Sequence, residues 1–113
     1  MTLNIPSQVE IAGITIKTVL MGENDEWEEK GCVGKADYKN QTIIIDTTLV
    51  KEGMLEQIYY HELLHWIFYI MGEEKLQRDE KIVDLLAHFI YQAIGKQVVY
   101  ESGMLSTSSS QPV

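Results

Sequence analysis

The stretch Ile58-Tyr59-Tyr60-His61-Glu62-Leu63-Leu64-His65-Trp66-Ile67 decides how this chain is read, because it sets two histidines and a glutamate into an otherwise uncharged run. At 3.6 residues per turn, His61 and His65 project from one side of a helix. Two imidazoles so placed can share one zinc ion, and the H-E-x-x-H spacing is the sequence form of that arrangement. Glu62, one residue on, points about 100° away from His61. That direction suits a base acting on a metal-activated water rather than a ligand. The apolar residues from Leu55 to Ile70 lie around almost the whole circumference, so the helix, expected from Met54 to Met71, must be buried. Thr47 and Thr48 precede it as candidate caps, and Gly72 ends it.

Catalytic zinc usually takes three protein ligands, so a third must come from elsewhere. A second helix is expected from about Arg78 to Ile94, with Ile82, Val83, Leu85, Leu86, Phe89, Ile90, Ala93 and Ile94 on one broad apolar face and Gly95 as its stop. Outside that face Glu80, Asp84 and His88 follow one another at four-residue steps. Glu80 is therefore the preferred third ligand, with Asp79 and His88 as competitors. Asp84, one turn on, is placed to accept the free ring N–H of a zinc-bound histidine.

Before the helices the sequence reads as sheet. Val9 to Leu20 is rich in Val, Ile and Thr and is broken at Gly13, as a bent strand or short hairpin would be. Gly22 to Lys30 reads as an acidic loop carrying Trp27. Gly31 to Tyr38 and Gln41 to Asp46 are two strand-like runs flanking Lys39-Asn40, which suits a two-residue hairpin turn. A last short strand is expected over Gln97 to Tyr100. Residues 1–101 are read as one domain and 102–113, rich in serine, as a flexible tail.

Composition narrows the function. The 113 residues carry 45% hydrophobic and 23% charged side chains, an ordinary globular balance. A net charge of −8 argues against direct nucleic-acid binding. Cys32 is the single cysteine, so no intramolecular disulfide can form, and it reads as a small packed residue rather than a ligand. With no signal-like N-terminus and no apolar run near the roughly 20 residues that span a bilayer, a cytoplasmic location away from membranes is expected.

The pattern His61-Glu62-x-x-His65 followed by Glu80-x-x-x-Asp84 resembles the gluzincin zinc metallopeptidases. Its short inter-motif distance, small size and preceding hairpin are similar to the ImmA/IrrE-like phage and mobile-element metallopeptidases and to the minigluzincins. The resemblance spans roughly Gly31 to Ile94. It implies an α+β fold, a small zincin-like domain whose antiparallel or mixed sheet of three to four strands packs on the HExxH helix and on a second, ligand-bearing helix. It implies Zn2+ as cofactor, Glu80 as third ligand and Asp84 as its supporting carboxylate. It further implies that Gly31 to Tyr38 is the edge strand receiving substrate, with Gly34, Lys35 and Ala36 leaving room for a peptide. Lys81-Ile82-Val83 after Glu80 departs from the small residues common in the ImmA-like proteins.

The expected reaction is peptide-bond hydrolysis on a protein or peptide substrate with Glu62 as general base. Tyr38, His88 and Tyr100 are the candidate oxyanion stabilisers. Two other classes stay open on sequence: a noncatalytic binding protein on the same scaffold, and a regulatory partner that engages a repressor or antitoxin through its sheet edge.

Overall fold

The computed structural model describes residues 5–22, 25, 32–98 and 100, with the backbone alone for Glu52. The fold is α+β, a four-stranded mixed sheet followed by helices. Strands β1 (Gln8–Ile11) and β2 (Ile14–Met21) form a hairpin. Ala12 and Gly13, with φ of 51° and 79°, make its two-residue turn. Positive φ at both central positions matches the twist of the strands, which is why the chain reverses here instead of bending.

Strands β3 (Gly34–Asp37) and β4 (Thr42–Asp46) form the second hairpin. The sheet order is β1-β2-β4-β3, with β2 and β4 parallel. The expected two-residue turn at Lys39-Asn40 is not what forms. The strands part after Asp37 and rejoin at Thr42, giving a four-residue connection closed by Asn40 N–H and Asn40 Nδ2 donating to the Asp37 carboxylate at 3.2 and 2.9 Å. Gln41 takes φ 53° to complete it.

Helix α1 (Leu55–Met71) follows a 3-10 turn at Glu52–Met54. Thr47 and Thr48 do not cap it: Thr47 Oγ1 donates to Met21 C=O, and Thr48 N–H and Oγ1 donate to Asp46 Oδ1. The Thr47 bond ties the end of β4 to β2, and the Thr48 bonds close a local turn after β4. Gly72, at φ 75°, stops α1 as expected.

Two sides of α1 are buried. Leu55, Tyr59 and Trp66 lie on the sheet with Ile16, Ile43 and Ile45, and Trp66 Nε1–H donates to Thr42 C=O at 3.0 Å. Leu64 and Phe68 meet Val83 and Ala87 of α3 (Glu80–Gly95). This double burial accounts for apolar residues all round the helix.

The second helix differs from expectation. A separate helix, α2 (Glu74–Arg78), comes first, and α3 begins only at Glu80 because Asp79 is its N-cap, Oδ1 accepting from Ile82 N–H at 3.1 Å. Only Val83 and Ala87 of α3 are fully buried, while Ile82, Leu85, Leu86, Phe89 and Ile94 are exposed. Val83 and Ala87, with half-buried Ile90, carry the contact with α1, and the rest of the broad face is exposed. Gln97, Val98 and Tyr100 belong to no strand; Val99, Trp27, Gly31 and the tail from residue 101 lie outside the described residues. Among the described residues no helix is long and apolar enough to cross a membrane.

Candidate metal centre

Glu62 lies on the stripe of α1 that runs Leu55, Tyr59, Glu62, Trp66, so it is carried toward the sheet; His61 and His65 lie on the neighbouring stripe facing α3. The close crossing at Val83 and Ala87 then brings the start of α3 over the histidines. His61 Nε2 is 3.1 Å from Glu80 Oε2, His65 Nε2 is 3.1 Å from Glu80 Oε1, and the two Nε2 atoms are 3.3 Å apart. His61, His65 and Glu80 thus form a group that could hold a metal ion.

The donor chemistry of this group tests the fit. His65 Nδ1 lies 2.7 Å from the Gln77 backbone carbonyl. A carbonyl only accepts, so Nδ1 carries the hydrogen and Nε2 of the neutral ring presents a lone pair. On the other ring, His61 Nδ1 faces Asp84 Oδ1 at 3.4 Å, and Nε2 again turns inward. Two imidazole Nε2 atoms and a carboxylate therefore converge. One proton could bridge only one of these contacts, whereas a divalent cation satisfies all three. The spacing agrees: tetrahedral bonds of about 2.0–2.1 Å put neighbouring ligand atoms roughly 3.3–3.4 Å apart.

Glu62 is buried, 8% exposed, and burial pushes its carboxyl up to about 7. The nearby Glu80 carboxylate adds to the rise, while His61 and the Ala36 backbone N–H oppose it. That N–H is available for a geometric reason. Asp46 N–H donates to Val33 C=O, so Val33 and Asp46 form a hydrogen-bonded pair, as do Lys35 and Ile44 two residues on. Gly34 and Ala36 then turn their N–H and C=O groups away from β4, toward the side where α1 passes.

A Cβ at Gly34 would lie 2.9 Å from both Glu62 Oε2 and Ile58 Cγ2. The space left by this glycine is filled by Glu62 and Ile58. Beside Glu62 opens a cleft of about 490 Å³, lined by Val33, Leu49, Val50, Met54 and Ile58 with Lys51, Gln57, His61 and Asp84.

The remaining candidates fall elsewhere. Asp79 is taken up by capping, and His88 lies two turns beyond Glu80 with its ring 6.1 Å from Phe89. Tyr100 is exposed. Tyr38 sits on the β3–β4 connection, its oxygen accepting from Gln77 Nε2 at 2.6 Å; burial raises its pKa, with Glu62 and Glu80 contributing. Cys32 is exposed rather than packed, and Lys35 is half-buried on β3. Gln77 went unnoticed in the sequence because it acts through a backbone carbonyl, which no residue type announces.

No protein-family profile, no curated protein and no solved structure matches this chain.

Proposed function

We propose that the protein is a zinc-dependent peptidase with His61, His65 and Glu80 as metal ligands and Glu62 as general base. The convergence of two imidazole Nε2 atoms and a carboxylate at 3.1–3.3 Å beside a buried glutamate carries this reading. A zinc ion held there would supply Lewis acidity, polarising a substrate carbonyl and acidifying a water.

The chain's own groups supply the rest. Asp84, facing His61 Nδ1, and the Gln77 carbonyl, holding His65 Nδ1, orient the two rings. Glu62, buried beside the histidines, is the group whose carboxylate would take a proton from the attacking water and return it to the departing amine. An extended peptide can pair along the edge of β3, which has no second neighbouring strand among the described residues, at outward backbone groups other than the Ala36 N–H that Glu62 accepts from. The adjoining cleft, mostly aliphatic, then accepts a side chain of that peptide.

The test is Glu62→Gln. An amide cannot act as the base, so this variant should keep zinc at wild-type stoichiometry and lose cleavage of an unstructured protein substrate. Cleavage undiminished in Glu62→Gln would remove the proposed base. Zinc bound without cleavage by the wild type would favour the noncatalytic binding protein instead.

A further inference from the structure

The carbonyl that fixes His65 belongs to an element with little support of its own. Helix α2 has five residues, none of them buried, and a helix so short does not stand by itself in water. Its packing comes from Leu76 at the edge of the cluster around Val83. Yet Gln77 C=O is held 2.7 Å from His65 Nδ1, and Glu80 follows three residues later. Whatever pins Gln77 therefore sets both the orientation of one ligand and the approach of another.

One side-chain bond does so. Gln77 Nε2–H donates to the Tyr38 phenol oxygen at 2.6 Å. Tyr38 is itself immobilised: its ring stacks on Tyr69 at 4.0 Å and 10°, and meets Trp66 edge-on at 5.0 Å. Trp66 is buried, tied to the sheet through Thr42, and adjacent in sequence to His65. The path closes on itself, from His65 to the Gln77 carbonyl, through the Gln77 amide to Tyr38, and through Trp66 back to the ligand helix.

We propose that Tyr38 and the Gln77 side chain form a latch that positions the metal site, holding α2 so that the Gln77 carbonyl keeps His65 in the tautomer and orientation that present Nε2 to the metal. The proposal rests on the metal-site reading above. Tyr38 acts through Gln77 and His65, so it is a positioning residue. Because it lies one residue beyond β3, the latch also ties the edge hairpin to the ligand set.

Two variants isolate the latch. Tyr38→Phe keeps the stacked ring and removes only the acceptor; Gln77→Leu removes the donor and keeps the backbone carbonyl. Zinc affinity is read by chelator competition, and the His65 Nδ1–H by long-range 1H–15N NMR of the metal-free protein. Each single variant should bind zinc roughly threefold to tenfold more weakly, less than the 10 to 100-fold typical of a ligand's direct partner. The double variant should lose no more than either single one, since the bond is broken once. The His65 Nδ1–H should also exchange faster with solvent in all three. Wild-type affinity and unchanged His65 exchange in both single variants, or losses that multiply in the double variant, would overturn the latch. If the wild type binds no zinc, the metal reading fails, while the His65 exchange comparison still decides whether Tyr38 and Gln77 hold that ring. Should Tyr38→Phe fail to fold, Gln77→Leu, on the short helix α2 outside the sheet, decides alone.

Discussion

The two buried sides of α1 are built differently. Toward the sheet, Glu62 sits in a stripe with Leu55, Tyr59 and Trp66, under a glycine with no space for a methyl group. Toward α3, His61 and His65 meet Glu80, which remains 71% exposed and reaches them from the first turn of a helix held by Val83 and Ala87. Glu62 is thus fixed by the fold, whereas Glu80 is delivered across a thin contact. Changes on the first side should be felt as stability, and changes on the second as metal affinity.

The largest separation is expected between Glu80 and its neighbour. Glu80→Ala should weaken zinc binding by more than the 10 to 100-fold typical of a supporting residue, and Asp84→Asn should fall within that range. Asp79→Ala should barely change zinc affinity but lower stability by about 1 kcal/mol, the usual worth of a lost N-cap. Chelator competition and urea melts on the same three variants measure both; a larger affinity loss for Asp79→Ala than for Glu80→Ala would break the comparison.

Glu62 gives the next effect. Its carboxyl is raised from 4.5 to about 7 in the fold, so the folded state holds its proton more tightly than the unfolded chain. Stability of the metal-free protein from this group is therefore lost as pH rises from about 4.5 through 7. Glu62→Gln should be more stable than the metal-free wild type at pH 8, by up to about 3 kcal/mol, and equal to it near pH 4. Urea melts in the presence of a chelator at both pH values give the comparison, and a Glu62→Gln variant no more stable at pH 8 would contradict the burial argument. Smaller again, Gly34→Ala should cost about 1–3 kcal/mol through overpacking against Ile58 and Glu62. A neutral Gly34→Ala melt would show that β3 and α1 can part.

The same contrast explains what could be read in the sequence. His61, Glu62 and His65 are legible because their geometry is set by a single helix, and Glu80 with Asp84 because their four-residue spacing sets both on one side of a helix. The fold class followed from strands preceding two helical patterns. The parallel pairing of β2 with β4 is nonlocal and left no mark on either strand. The start of α3 is legible only to within two residues, because the capping role of Asp79 depends on the chain breaking after Arg78. The broad apolar face of α3 overstated its burial, since hydrophobic spacing reports what a helix can pack and not what arrives to cover it. Gln77 serves His65 through its main chain, so no side-chain pattern foretold it. The space beside Gly34 was expected to receive a peptide and holds Glu62 instead; the peptide's place along that edge stays part of the proposal.

The central claim is that His61, His65 and Glu80 hold one zinc ion. A crystal of the zinc-loaded protein, with anomalous differences collected on both sides of the zinc absorption edge, tests it most directly. The account predicts a single zinc peak per chain, bonded to Nε2 of His61, Nε2 of His65 and a Glu80 carboxylate oxygen at about 2.0–2.2 Å. A peak elsewhere, or one at the histidines completed by Asp79 or His88 in place of Glu80, would contradict it.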